Sequence, residues 1–235
     1  MADGDLRIHS IENEQALIWD LPVRVFHWAL VIAMIAAFVT HRLGPEYFKF
    51  HAWSGYAVLV LVVFRIVWGI VGTRHARFLQ FVRGPKTIAY YLRGRERYFP
   101  GHNPLGALMV VGLLVALLVQ AITGLFSNDE IFNVGPLYGY VENELSLRLT
   151  SLHRQLFYWI AAAIAVHVAA VIAYRVFKKE RLVEAMVTGR KHDVSPADAI
   201  TSSRLGWAIL ILVVIVLLLA SLIASAPIPA SDLGY

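Results

Sequence analysis

The sequence has no cysteine among its 235 residues. This absence excludes disulfides, thiolate-ligated iron–sulfur clusters, zinc fingers and the covalent attachment of a c-type haem. A metal or cofactor bound by this chain must therefore be held by histidine, carboxylate or methionine side chains. Nine histidines are available for that purpose, and imidazole is the commonest metal ligand among side chains.

Charged residues are also scarce, at 16% of the chain, while hydrophobic residues make up 58%. An average soluble domain carries about 25% charged residues. Five apolar segments are long enough to span a bilayer core of about 30 Å, and they cover about 21–43, 50–71, 105–126, 152–176 and 205–226. All five should be helices, because lipid leaves an open strand without hydrogen-bond partners and the segments lack the alternation of barrel strands. The sequence thus predicts an all-α integral membrane protein.

Lysine and arginine are concentrated on one side of the predicted membrane. Sixteen of the 21 lie near the N-terminus and in the links after the second and fourth spans. By the positive-inside rule, residues 1–16 form a cytoplasmic segment and the C-terminus lies in the periplasm, outside a bacterial inner membrane. Residues 192–235 then form a linker, the fifth helix and a short periplasmic tail. The net charge of +5 belongs to a cytoplasmic face and does not indicate nucleic-acid binding.

Four histidines occur at matched depths on three of the predicted spans. His153 and His167 are fourteen residues apart on the fourth span, so they differ in height by about 21 Å and lie within about 40° of each other around the helix. His27 lies near the cytoplasmic start of the first span, and His51 lies at the outer start of the second. In antiparallel helices His27 is level with His167, and His51 is level with His153. The other histidines of the cytoplasmic segments should be solvated: His9, His75, His102 and His192.

Two histidine pairs at two depths match the needs of two b-type haems in a helical bundle, because each iron takes two axial imidazoles from facing helices. Gly55, one turn after His51, and the alanines of the fourth span leave room for a flat macrocycle close to the backbone. A single histidine in a spanning helix would otherwise be a hydrogen-bonded structural residue or part of a proton relay. The matched depths favour haem ligation.

Three further residues near these depths have open roles. His41 also lies fourteen residues from His27, but Arg42, Leu43, Gly44 and Pro45 follow it, so we expect it in the interface and prefer His51 as the ligand. Arg65 lies within the second span, where it either extends to the inner leaflet or pairs with a propionate of the inner haem. Arg154, beside His153, is the corresponding candidate at the outer haem.

Residues 76–99 mix aromatic and aliphatic residues with arginines, in the order ARFLQFVRGPKTIAYYLRGRERYF. This composition predicts one or two short helices lying on the inner leaflet. A docking site for a cytoplasmic partner is the alternative.

Several motifs in order resemble the prokaryotic cytochrome b561 family, which includes the membrane cytochrome b of nickel–iron hydrogenases. They are WDLPVRVFHW, HAWSGYAVLVLVVFRIVWGIVG, RHARFLQFVRGP, GHNPLG, QAITGLF and HRQLFYWIAAAIAVHVAAV. The resemblance covers about 17–191 and implies a four-helix transmembrane bundle that binds two b haems. The fifth, C-terminal helix lies outside this match and should pack outside the bundle or bind a partner. It also implies His27, His51, His153 and His167 as axial ligands, while His41 matches no ligand position.

The resemblance implies electron transfer between the quinone pool, ubiquinone or menaquinone, and a redox partner. Slightly acidic outer links favour a periplasmic c-type cytochrome as that partner. Two alternatives from the same family are the cytochrome b anchor subunit of a hydrogenase or dehydrogenase complex and a superoxide:ubiquinone oxidoreductase, so the existence of an enzymatic activity is left open. A haem-free transporter is disfavoured because no Asp or Glu lies in the middle of a span.

Overall fold

The computed structural model describes residues 15–95, 98–131, 133–192 and 194–227. Within these residues, five helices are long and apolar enough to cross a membrane. In chain order the α-helices are α1 (Leu21–Leu43), α2 (Phe48–Val71), α3 (Phe78–Phe81), α4 (Pro85–Leu92), α5 (Pro104–Leu125), α6 (Asn143–Phe177), α7 (Leu182–Thr188) and α8 (Leu205–Ala224). Strands β1 (Gln15–Leu17) and β2 (Arg190–His192) pair antiparallel. The protein is an all-α membrane protein apart from this short ribbon.

One spanning helix is much longer than its apolar run. Helix α6 begins at Asn143, nine residues before the predicted start of the fourth span, whereas the bounds of the other long helices lie within two residues of the prediction. Its added turns pack against the preceding loop, where the fully buried Ser146 donates its hydroxyl to Phe126 O at 2.6 Å. Thr150 accepts from Asn128 N at 2.9 Å. Polar side chains at positions 146 and 150 stabilise the helix here, so hydropathy did not find these turns.

The chain divides into two compact units. The first unit comprises Met1–Val25, Val67–Val111 and Ala165–Ala208. The second unit comprises Phe26–Ile66, Gly112–Ile164 and Ile209–Tyr235. Helices α1, α2, α5, α6 and α8 each contribute residues to both units.

A buried carboxylate organises the first unit. Asp20 lies just before α1 and accepts from Val23 N at 2.7 Å, as an N-terminal cap does. Its second oxygen accepts from Trp68 Nε1 at 3.0 Å and from the hydroxyl of Thr73. These donors satisfy a carboxylate that is 1% exposed. The start of α1 is thereby joined to the end of α2.

The short ribbon joins the N-terminal segment to the link between α6 and α8. Helix α7 ends at Gly189, whose φ of 83° is the left-handed conformation that glycine adopts without strain. The carbonyl of Gly189 then accepts from the backbone N–H groups of Ile18 and Trp19 at 2.9 and 3.0 Å. The carbonyl oxygen of Leu17, in strand β1, also accepts a hydrogen bond from Ile200 N at 2.8 Å. Residues distant in sequence therefore form one packed region.

The expectation of solvated cytoplasmic histidines is wrong for His75. This residue is 6% exposed, and its Nε2 lies 2.7 Å from Asp198 O. His102 is half-buried, with its ring centroid 4.6 Å from that of Trp19 and 4.7 Å from that of Phe81. The links fold back onto each other and enclose these rings. His192 is also partly buried, and His9 lies outside the described residues.

Two short helices occupy the segment in which the sequence predicts one or two. Helix α3 leaves Leu79 90% exposed, and α4 leaves Tyr90 and Leu92 exposed. Each helix is too short to be stable by itself in water. Their position on the inner leaflet stays a prediction.

Candidate functional site

Two of the predicted histidines meet in the second unit. His51, near the start of α2, and His153, in the first half of α6, have ring centroids 6.3 Å apart and ring planes 86° apart. Both side chains are half-buried. The structure therefore brings together imidazoles that are 102 residues apart in the sequence.

Backbone carbonyls fix the ring nitrogens of this pair. His51 Nδ1 lies 2.8 Å from Ala37 O on α1, and His153 Nδ1 lies 2.8 Å from Gln120 O on α5. A carbonyl oxygen only accepts, so each Nδ1 must carry the proton and donate it. In the neutral ring this leaves Nε2 with a lone pair. This tautomer, held by a backbone acceptor, is the usual state of a metal-bound histidine.

The separation of the two rings fits one metal ion between them. A metal–imidazole nitrogen bond is about 2.0 Å, and the nitrogen lies about 1.2 Å from the ring centroid, so two axial ligands place their centroids about 6.4 Å apart. The observed 6.3 Å agrees with this value. The residues present therefore fit a haem iron with His51 and His153 as its axial ligands.

Two glycines shape the surroundings of the pair. A Cβ at Gly124 of α5 would lie 3.0 Å from His153 Cε1 and 3.3 Å from Nδ1, which is tighter than ordinary van der Waals contact. Gly124 thus lets the His153 ring lie against α5. A Cβ at Gly55 would have no atom within 4 Å, and the role of Gly55 beside a haem stays a prediction. Sequence reasoning missed Gly124, although it lies within the QAITGLF motif.

His41 lies beside this pair as an exposed residue. Its ring centroid is 5.6 Å from that of His51, with the planes at 50°. Among the described residues, the imidazoles of this group that contact backbone carbonyls are those of His51 and His153. The geometry therefore favours His51 over His41 as the partner of His153.

The two arginines near the predicted sites differ sharply in burial. Arg65 is 2% exposed, and both its terminal nitrogens, Nη1 and Nη2, are buried. A guanidinium keeps its charge in a protein, so it is not placed in such a site without compensation by an acceptor. This burial does not fit extension into headgroup water. Arg154 is exposed.

The other two predicted ligands are each half-buried on a long helix. His27 lies on α1 in the second unit, edge-on to Trp28 with ring centroids 5.0 Å apart. His167 lies on α6 in the first unit. Their pairing stays a prediction from helical spacing.

Comparisons with known proteins agree with the motifs. The model of the family described as prokaryotic cytochrome b561 matches residues 18–189. A probable Ni/Fe-hydrogenase B-type cytochrome subunit of Rhodobacter capsulatus is 27% identical over 225 residues, covering 78% of this chain and 84% of the relative. The corresponding subunit of Azotobacter vinelandii is 23% identical, covering 80% and 92%. A probable Ni/Fe-hydrogenase 1 B-type cytochrome subunit of Escherichia coli K12 is 24% identical, covering 74% and 90%. The family model therefore confirms the resemblance over nearly all of the residues that carry it, 17–191.

Proposed function

The chain belongs to the prokaryotic cytochrome b561 family, and from this premise we propose that it carries electrons across the membrane through two bis-histidine haems. Family membership makes it a multi-pass membrane cytochrome b, with haem b as its cofactor and electron transfer as its function. The number of haems, their ligands, the quinone and the partner are the proposal.

The geometry of His51 and His153 is the observation that carries the proposal. Their 6.3 Å centroid separation and two Nδ1 contacts of 2.8 Å support an outer haem between α2 and α6. When bound, haem supplies reversible one-electron chemistry at its iron. The two histidines would hold the iron, and the carbonyls of Ala37 and Gln120 hold their tautomers.

An inner haem is proposed at His27 and His167. Helix α6 continues without interruption from Asn143 to Phe177, so His167 lies about 21 Å along the axis from His153 and on nearly the same face. Helix α1 likewise includes His27. Arg65, fourteen residues after His51 on α2, is the proposed propionate contact at this depth, and Arg154 is the proposed contact at the outer haem.

Counting the haems bound by purified variants tests this assignment. The wild type should bind two haems per chain, and His51→Ala and His153→Ala should each lose the outer haem. His27→Ala and His167→Ala should each lose the inner haem, because one imidazole holds iron weakly. His192→Ala is the control and should retain both. A wild type with one haem, or loss in His41→Ala with retention in His51→Ala, would contradict the assignment.

The role of Arg65 has a separate readout in the potential of the inner haem. A buried cation stabilises the added electron of the reduced haem, so Arg65→Gln should lower the reduction potential of that haem. Arg65→Lys, which keeps the charge, should lower it less. An unchanged potential in Arg65→Gln would contradict the propionate contact.

The proposed orientation puts the N-terminus in the cytoplasm and the C-terminus in the periplasm. It is supported by the concentration of lysine and arginine on one side of the spans. A reporter enzyme that is active only in the periplasm should therefore be active when fused after residue 235. Activity of the same reporter in the link between α2 and α5 instead would reverse the orientation.

The proposed electron route connects ubiquinone or menaquinone with a hydrogenase-type redox subunit. The curated relatives are named as hydrogenase cytochrome subunits, which supports this partner. Hydrogen gas should then reduce the haems in native membranes, and an added quinone should reoxidise them. No reduction by hydrogen, in membranes whose haems dithionite still reduces, would contradict this partner.

A periplasmic c-type cytochrome is the second candidate partner, because the outer segments expose Glu46, Glu130, Glu142 and Glu144. Arg148 pairs with Glu144 at 2.6 Å and reduces this acidic excess, so the attraction for a basic protein is modest. Electron exchange with a purified basic cytochrome c should slow as salt is raised if this candidate is correct. Exchange that does not depend on salt would contradict it.

A further inference from the structure

Two backbone carbonyls in the second unit accept from the histidines of the outer pair. Ala37 O on α1 accepts a hydrogen bond from His51 Nδ1, and Gln120 O on α5 accepts one from His153 Nδ1, both at 2.8 Å. Each carbonyl also lies inside a regular α-helix, where the N–H four residues later donates to it. Those N–H groups belong to residues 41 and 124.

A threonine three residues after each acceptor donates to the same oxygen. Thr40 Oγ1 lies 3.2 Å from Ala37 O, and Thr123 Oγ1 lies 2.9 Å from Gln120 O. Threonine hydroxyls in helices often bond a carbonyl three or four residues back, and each also bonds the carbonyl at i−4, at 2.6 and 2.8 Å. The unusual feature is that the shared oxygen is the histidine acceptor on both helices.

Three donors on one oxygen weaken each individual hydrogen bond. A carbonyl has two lone pairs, so the helix N–H, the imidazole Nδ1–H and the threonine hydroxyl compete for them. The single hydrogen of each threonine hydroxyl is shared with the carbonyl at i−4, so its bond to the shared oxygen is partial. The hydrogen bond at Nδ1 sets how strongly the other ring nitrogen donates electrons to a metal. A weaker bond makes the ring a weaker donor, which favours reduced over oxidised iron. The threonine therefore raises the reduction potential.

We propose that Thr40 and Thr123 are positioning residues that raise the potential of the outer haem by sharing the carbonyls that hold its two axial histidines. This inference rests on the proposed ligand pair His51 and His153. Thr123 has the larger effect because it is 3% exposed and lies closer to its shared oxygen. Its Oγ1 is also 3.3 Å from His153 Nδ1, a longer contact than that of Nδ1 with Gln120 O.

The test is a redox titration of the purified, haem-loaded protein. Thr123→Val keeps the shape of the side chain and removes the hydroxyl, so the bond from His153 to Gln120 O should strengthen. The equilibrium constant for reduction of the outer haem should fall about threefold to tenfold, a shift of about 28 to 59 mV to lower potential for one electron. Thr40→Val should shift it in the same direction by less, and the double variant by more than either.

Two controls separate this effect from general disturbance. Thr123→Ser keeps the hydroxyl and should retain the wild-type potential. Ser54→Ala removes a hydroxyl that donates to Phe50 O on α2 at 2.8 Å, an oxygen that receives neither histidine, and it should also leave the potential unchanged. The low-spin electron paramagnetic resonance signal of the outer haem reports the ligand field independently, and it should change in Thr123→Val but not in Thr123→Ser or Ser54→Ala.

Failure of this inference is distinguishable from failure of the proposed function. An unchanged or higher potential in Thr123→Val, or the same fall in Thr123→Ser, overturns carbonyl sharing while the haem assignment stands. If Thr123→Val does not retain the outer haem, the same titration of Thr40→Val decides the question, and an unchanged potential there overturns the inference. Retention of the outer haem in His51→Ala and His153→Ala would instead overturn the proposed function.

Discussion

Substituting Gly124 by alanine tests how closely α5 holds the His153 ring. The new Cβ would lie 3.0 Å from Cε1 and 3.3 Å from Nδ1 of that ring. The ring must therefore shift by several tenths of an ångström, away from α5 and from the carbonyl of Gln120 that receives Nδ1 at 2.8 Å. The substitution acts on one proposed axial ligand and leaves the rest of α5 a good helix.

Two opposing terms give the expected size of the effect of Gly124→Ala. Alanine is favoured over glycine in a helix interior by about 1 kcal/mol, with or without haem. Loss of the hydrogen bond to a buried partner costs about 1 to 3 kcal/mol, and this cost affects haem binding if the displaced ring is the ligand, as proposed. We expect the affinity for the outer haem to fall at least about fivefold, and about tenfold for each 1.4 kcal/mol lost, while the haem-free protein should gain up to about 1 kcal/mol of helix stability.

Haem transfer to an excess of a competing haem-binding protein measures this affinity for each haem separately. Gly112→Ala is the matched control, since Gly112 lies on the same helix and a Cβ there would have no atom within 4 Å. The control should gain helix stability and keep the wild-type haem affinity. Equal retention of the outer haem in Gly124→Ala and Gly112→Ala would refute the close contact between His153 and α5.

Two further predictions follow from the same contacts. Asp20→Ala removes an N-terminal cap, worth about 1 kcal/mol. It also leaves the buried Trp68 indole N–H without its acceptor, which costs about 1 to 3 kcal/mol more. The melting temperature should therefore fall clearly, and a change within error would contradict the role of this carboxylate. The rings of His51 and His153 are nearly perpendicular, at 86°, so the oxidised outer haem should give a strongly anisotropic low-spin resonance, whereas the spectrum of parallel ligands would contradict this geometry.

Much of the fold is predictable from the sequence because membrane-spanning helices are specified by local composition. Length and hydropathy found all five spans, and the helical period placed His153 and His167 on one face of α6. The motifs identified the family over nearly the same residues that the family model matches, 18–189. Each of these inferences uses neighbours within one helix.

The features that the sequence did not reveal depend on contacts between distant segments. The first turns of α6 form because Ser146 and Thr150 bond the loop before them, and His75 is buried because Asp198, 123 residues away, receives its ring nitrogen. Polar composition predicted a solvated His75, and hydropathy began the fourth span only after these turns. A polar residue becomes buried when a specific partner satisfies it, and hydropathy does not identify that partner.

For His153 and His167, the sequence by itself determined their relative height, because both lie on α6 and a helix converts residue number into height at a constant rise. Only the tertiary structure decided which carbonyls receive the rings of His51 and His153, and that Gly124 gives one ring its place against α5. The separation of 6.3 Å between the two rings is likewise a property of the packed helices. Side-chain direction and helix spacing depend on several segments at once, and no single span encodes them.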